Sequence, residues 1–196
     1  GGFDYSHSSG IYLGNWNSNV SQTAGYPDGN LEMDFYGGYK TTFGDFGLDV
    51  GGLYYYYPGS RGQALGLNRG AVDNGELYIA GSWKFLTLKY SYAVTDYFSL
   101  PNSDGSSYLD LSANYDLGDG WGINGHVGHL WLQNYSVGDY TDWKLGVTKD
   151  IGGFVIGLSY VDTNADKTFY TSSPAMHSGG DTKNLGRATA VLSVSK

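Results

Sequence analysis

Leu109-Asp110-Leu111-Ser112-Ala113-Asn114-Tyr115-Asp116-Leu117 is the stretch on which the reading of the whole chain turns. Every odd position is apolar and every even one is polar, a strict period of two. Successive side chains of a strand point to opposite faces, so this segment forms a strand with one greasy and one wet face. A helix would scatter the same residues around its circumference. The pattern recurs on both sides. Leu31, Met33, Phe35, Gly37 and Tyr39 oppose Glu32, Asp34, Tyr36 and Lys40, and Leu48, Val50, Gly52, Tyr54 and Tyr56 oppose Asp49, Gly51, Leu53 and Tyr55. Leu77, Ile79, Gly81 and Trp83 oppose Glu76, Tyr78, Ser82 and Lys84, and Leu86, Leu88, Tyr90, Tyr92 and Val94 oppose Thr87, Lys89, Ser91 and Thr95. Later come Trp143, Leu145 and Val147 against Asp142, Lys144 and Thr148, then Phe154, Ile156, Leu158 and Tyr160. The last run sets Ala188, Ala190, Leu192 and Val194 against Arg187, Thr189 and Ser193. With the Phe3/Tyr5, Tyr12/Trp16 and Trp121–Trp131 segments, the chain is a meander of eleven strands of roughly 7–14 residues.

None of the apolar faces carries a charge. The opposite faces hold Glu32, Asp34, Lys40, Asp49, Glu76, Lys84, Lys89, Asp110, Asp116, Asp142, Lys144 and Arg187. In lipid, a Lys or Arg facing the bilayer midplane costs about 2–4 kcal/mol. A soluble core also forbids such charges, so segregation alone does not separate the two environments. Connection lengths do. Tight joints at 8–10, 44–46, 84–86, 118–120 and 152–153 alternate with longer polar links at 21–30, 58–74, 99–106, 134–139 and 164–186. Outer-membrane barrels place short turns on the periplasmic side and long loops outside. Trp16, Tyr56, Tyr57, Trp83, Trp121, Trp131, Tyr140 and Trp143 fall near strand ends, where amphipathic rings form girdles at the headgroup level.

The expected fold is therefore all-β: a transmembrane, up-and-down antiparallel barrel forming a single outer-membrane domain over residues 1–196. Single-chain bacterial barrels have even strand numbers, so twelve strands are expected with eleven in this chain, the missing one preceding Gly1. Twelve tilted strands give a backbone radius of roughly 12 Å, leaving a narrow lumen.

Composition excludes other classes. Eleven Lys+Arg against nineteen Asp+Glu leave a net charge of −8, the wrong sign for nucleic acid. Without cysteine there is no disulfide, thiolate nucleophile or Cys-based metal site. A mean hydropathy of −0.33 and the lack of any 18-residue apolar run exclude a membrane helix, but a barrel averages to a polar score.

Further similarity lies in Gly1-Gly2-Phe3-Asp4-Tyr5-Ser6-His7, Trp16-Asn17-Ser18-Asn19-Val20 and Glu32-Met33-Asp34-Phe35-Tyr36-Gly37-Gly38-Tyr39. It continues through Tyr54-Tyr55-Tyr56-Tyr57-Pro58-Gly59 and Glu76-Leu77-Tyr78. Asp139-Tyr140-Thr141-Asp142-Trp143-Lys144 and Leu158-Ser159-Tyr160-Val161-Asp162-Thr163 are the most specific segments. By these the chain resembles the TorF-like porin family of proteobacteria, the Gcw-type conserved hypothetical proteins. The resemblance implies an outer-membrane barrel with a pore role and no established catalytic residues. It also implies a preceding N-terminal strand, and the final Lys196 departs from the aromatic end common in such barrels.

Weaker signals have plainer readings. His126 and His129 differ by three, so on one strand they face opposite ways and share no metal. Asp162-Thr163-Asn164-Ala165-Asp166 has the acids of a calcium loop, but Lys167 replaces the required glycine and the final glutamate is missing. Asn102-Ser103-Asp104-Gly105-Ser106 is turn chemistry, and Tyr54–Tyr57 reads as a rim girdle ahead of a sugar platform. There is no G-x-S-x-G elbow, so no enzyme is expected. The function expected is a channel for passive diffusion of small polar solutes or ions in the bacterial outer membrane. Its lumen is lined by the twelve charged residues above; acids outnumber bases there, giving weak cation preference. The alternative is a surface-exposed structural or adhesion barrel with a plugged lumen, acting through loops 58–74 and 164–186. Expected partners are outer-membrane lipid and the solutes themselves, without cofactor, metal or nucleic acid and with room for a homo-oligomer.

Overall fold

The computed structural model describes residues 1–20, 29–62, 69–171 and 184–196. Strands β1 (Gly2–Ser6), β2 (Ile11–Asn19), β3 (Leu31–Phe43) and β4 (Phe46–Tyr56) come first. A small ribbon of β5 (Arg61–Gly62) and β6 (Arg69–Ala71) lies within the next loop. Then follow β7 (Asn74–Trp83), β8 (Leu86–Ala93), β9 (Ser107–Gly118), β10 (Trp121–Trp131), β11 (Tyr140–Ile151), β12 (Phe154–Thr163) and β13 (Thr189–Ser195). Apart from the ribbon, the strands form one antiparallel sheet of eleven, each paired with its sequence neighbours, from β1 to β13. This is an up-and-down barrel wall. Both β1 and β13 run from the long-loop side to the short-turn side. The two edges are thus parallel to each other, and no ladder joins them among the described residues.

The turns follow from local chemistry. Gly118, Asp119 and Gly120 all have positive φ, as do Gly152 and Gly153, so each joint reverses the chain within two or three residues.

Burial is the inverse of a soluble protein's. On β9, Leu111, Tyr115 and Leu117 are 45%, 51% and 57% exposed, while Asp110 and Ser112 on the other face are half-buried. The same holds for Leu77 and Ile79 on β7, Leu145 on β11 and Leu158 on β12. A continuous exposed apolar band of this extent belongs against acyl chains, not water. Outward rows carry charge only at their ends. Asp162 lies opposite Trp143 near the loops; Lys149, beside the short turn after β9, donates to the Asp119 carbonyl at 2.6 Å and rests over the Trp121 ring. A lysine whose stem lies along the wall and whose head reaches the interface costs little.

What is fully buried gathers at one end. Tyr57, Val72, Leu130, Leu132, Ser103 and Ser106, each under 5% exposed, lie within or beneath the long loops, while Tyr12 and Ala80 are buried less deeply on the wall. No described helix is long and apolar enough to cross a membrane.

Candidate functional site: the ionic inner face

The register assembles the inward polar positions into a lateral row. Lys40 pairs with Asp49, Asp49 with Ala80, Ala80 with Lys89, Lys89 with Asp110, Asp110 with Gly128 and Gly128 with Asp142. Charges of both signs are thus laid along one hydrogen-bonded line across seven strands. The next row sets Ser112 beside His126 and His126 beside Lys144.

Two clusters stand on these rows. In the first, Tyr12 donates its hydroxyl to Asp49 Oδ1 at 2.6 Å and touches the Tyr78 hydroxyl. Lys40 Nζ lies 3.5 Å from Asp49 Oδ2 and 4.4 Å from the Tyr12 ring centre. Lys89 Nζ stands 4.2 Å over Tyr78, and Tyr36 donates to Asp4. Asp4, Tyr12, Tyr36, Lys40, Asp49 and Lys89 line a cavity of about 610 Å³. In the second cluster, Tyr108 donates to Asp142 Oδ1 at 2.7 Å. His126 is wedged between two carboxylates, with Nδ1 2.8 Å from Asp110 Oδ2 and Nε2 3.5 Å from Asp142 Oδ2. Tyr12 and Tyr108 hold Asp49 and Asp142 by hydrogen bonds, and Lys40 stands beside Asp49, so these two carboxylates are fixed in place on the inner face.

The tyrosines share a device. Tyr12 lies opposite Gly38, Tyr78 opposite Gly51 and Tyr36 opposite Gly14 across adjacent strands. A Cβ at Gly38 or Gly51 would stand 2.6 or 2.5 Å from the partner's hydroxyl oxygen. Only with glycine there do these rings fold flat against the neighbouring strand.

Of the twelve expected lining residues, Lys40, Asp49, Lys89, Asp110, Asp142 and Lys144 stand in these rows. Glu32, Asp34 and Glu76 lie on the same face nearer the long loops. Glu32 accepts from Ser18 and Tyr57, Glu76 accepts from Asn74 Nδ2 at 2.8 Å, and Asp34 pairs with Tyr55. Asp116 sits beside a short turn and accepts the Gly118 amide at 2.8 Å. Two residues belong elsewhere. Lys84 occupies the β7–β8 turn with φ 53° and rests over the outward Trp83 ring, because the alternation stops where the chain reverses. Arg187 precedes β13 and lies outside the sheet.

The aromatic set needs similar correction. Trp83 and Trp121 stand exposed at the short-turn end, Tyr56, Trp131 and Trp143 at the long-loop end. Trp16 is 53% exposed but shares the register row of Asp34; the in–out burial of β2 slips at Asn15, which is 7% exposed and donates to the Asp34 carbonyl. Tyr57 is not in a lipid-facing girdle: it is 2% exposed, with its hydroxyl on Glu32. Tyr140 also turns inward, in the row of buried Leu130, with its ring against Tyr170. Both lie at strand ends where parity, not position, decides the face.

Sequence reasoning passed over Tyr12, Tyr78, Tyr108 and His126 as site residues. The signal was available in the inward parity of each. His129 faces outward with its ring on Trp131 and Nδ1 2.7 Å from Thr141 Oγ1. The Asp166 carboxylate accepts from the Thr168 hydroxyl and the Thr168 and Phe169 amides, which hold it below the usual carboxylate range and close a turn.

Two solved structures have similar folds. The NanC porin aligns over 99% of this chain and 96% of its own, with 13% identity and a TM-score of 0.56. A porin refined at 1.8 Å aligns over 98% of this chain with 19% identity and a TM-score of 0.50, and this chain spans 59% of its length. No curated protein matches the sequence. The family model for Gcw_chp, bacterial proteins of unknown function, matches residues 1–196, and the chain belongs to that family.

Proposed function

We propose that the chain forms a porin-like channel of the TorF-like kind in the bacterial outer membrane, passing small polar solutes or ions by diffusion. The observation that carries this is the row Lys40–Asp49–Ala80–Lys89–Asp110–Gly128–Asp142, a line of charge on the inner face of a wall whose outer face is apolar. Side-chain charges ranged around a lumen act on permeating ions, and an apolar exterior fits lipid as the partner. Closing the wall calls for one strand antiparallel to both β1 and β13, the twelfth of an even-numbered barrel. Reconstitution into planar bilayers tests the reading: discrete conductance steps with weak cation preference are expected, and silence at every voltage rejects it.

One observation favours a second reading, the plugged structural barrel. The most deeply buried side chains sit beneath the long loops, as they would in a stopper. Such a barrel extracts with detergent from outer-membrane fractions and conducts nothing.

A further inference from the structure

We propose that Phe98 is the constriction residue of this channel, setting its conductance and the size of solute it admits; the proposal rests on the channel reading. Phe98 belongs to a 3-10 turn, Tyr97–Ser99, in the loop between β8 and β9. Its ring does not remain over β8. It reaches past β7 to the inward tyrosines of β4 and its end, with centroids 5.3 Å from Tyr55 and 6.1 Å from Tyr57, and 4.7 Å from its neighbour Tyr97. Tyr55 shares its register row with Asp34 and Asn74, so Phe98 sits on the lumen side of the wall.

Tyr97 and Phe98 are both half-buried and packed edge to face, and burial holds the Tyr97 phenol well above the usual tyrosine value.

The loop is built to hold the ring there. Ser103, fully buried, donates its hydroxyl to the Leu100 carbonyl and accepts the Tyr97 amide at 2.7 Å, while its own amide donates to Asp96 Oδ1 at 3.1 Å. The next long loop ties it down: Asn134 Nδ2 donates to the Asn102 carbonyl at 2.7 Å and the Tyr135 hydroxyl to the Pro101 carbonyl at 2.9 Å. Phe98 itself has φ 46° and ψ 51°, followed by Ser99 at φ 64°. A bulky residue in the left-handed region is costly and persists only where its surroundings over-determine it. Here the surroundings are Tyr55, Tyr57 and Tyr97, and below them stand Glu32, Asp34 and Glu76. A solute entering the lumen meets an aromatic edge first and carboxylates next.

Phe98→Gly removes the ring and suits the backbone, so the variant should fold. In planar bilayers its single-channel conductance should rise, on the order of twofold, and larger neutral polymers should enter the pore. Because the chain has no cysteine, Phe98→Cys gives a single target. A charged thiol reagent should shift its current stepwise and leave the wild type untouched. Equal conductance in wild type and Phe98→Gly, with Phe98→Cys insensitive to reagent, overturns it while leaving the channel reading intact. If neither wild type nor Phe98→Gly conducts, the channel reading fails and the constriction fails with it.

Discussion

At the short-turn end the barrel stops within a residue or two of its last ladder pair, with Trp83, Trp121 and Lys149 at the rim and little beneath them. At the long-loop end, Tyr57, Leu100, Leu130, Leu132 and Ser103 are buried under segments that cross from one strand pair to another. The contrast separates two kinds of cohesion. The wall is held by ladder hydrogen bonds, which the bilayer interior makes obligatory because no water competes for them. The cap is held as a soluble core is held, by apolar area withdrawn from water. One chain uses both, divided by height along the barrel.

Cutting into the cap should cost most. Leu130, 1% exposed, loses about 2–5 kcal/mol of stability as Leu130→Ala, whereas Leu111→Ala on the lipid face loses far less. Unfolding by denaturant from lipid vesicles, read by tryptophan fluorescence, measures both. Next comes the wall. Leu111→Arg should cost about 2–4 kcal/mol while Ser112→Arg, one residue on and facing in, is tolerated. Equal costs would mean that the two faces are misassigned. A third test uses pH against the cap alone. Burial raises the phenols of Tyr97 and Tyr170, so folding favours their neutral form. That contribution is complete below about pH 10 and fades as pH rises further, where the unfolded chain ionises first. Tyr97→Phe should flatten the alkaline limb of the stability curve, measured as unfolding midpoint against pH. The smallest effect is expected in the lumen: Asp142→Asn should lower cation over anion permeability, read as reversal potential across a salt gradient.

The wall was legible because period two is a local property, and Leu109–Leu117 carries it without interruption. Strand number, neighbour order and the alternation of connections all follow from that pattern. The rims were less so. Lys84 looked inward only while the alternation was extended through a turn, and Tyr57 and Tyr140 looked lipid-facing because strand ends attract aromatic residues on either face. The cap was not legible at all. Asn102-Ser103-Asp104-Gly105-Ser106 reads as a turn, and is one, but that Ser103 would anchor a ring against Tyr55 depends on which strands curl together. The ionic rows lie between these extremes. Each charge was assigned its face by parity, yet the pairing of Lys89 with Asp110 or His126 with two carboxylates needed the register.

The flattened phenols opposite Gly14, Gly38 and Gly51 carry a last consequence. An aromatic ring lying like a tile on the neighbouring strand takes up little of the bore, so trimming Tyr12 or Tyr78 would widen the passage less than their bulk suggests. At that height the room depends instead on the bare positions beneath the tiles, where a single added methyl would tip a ring toward the axis.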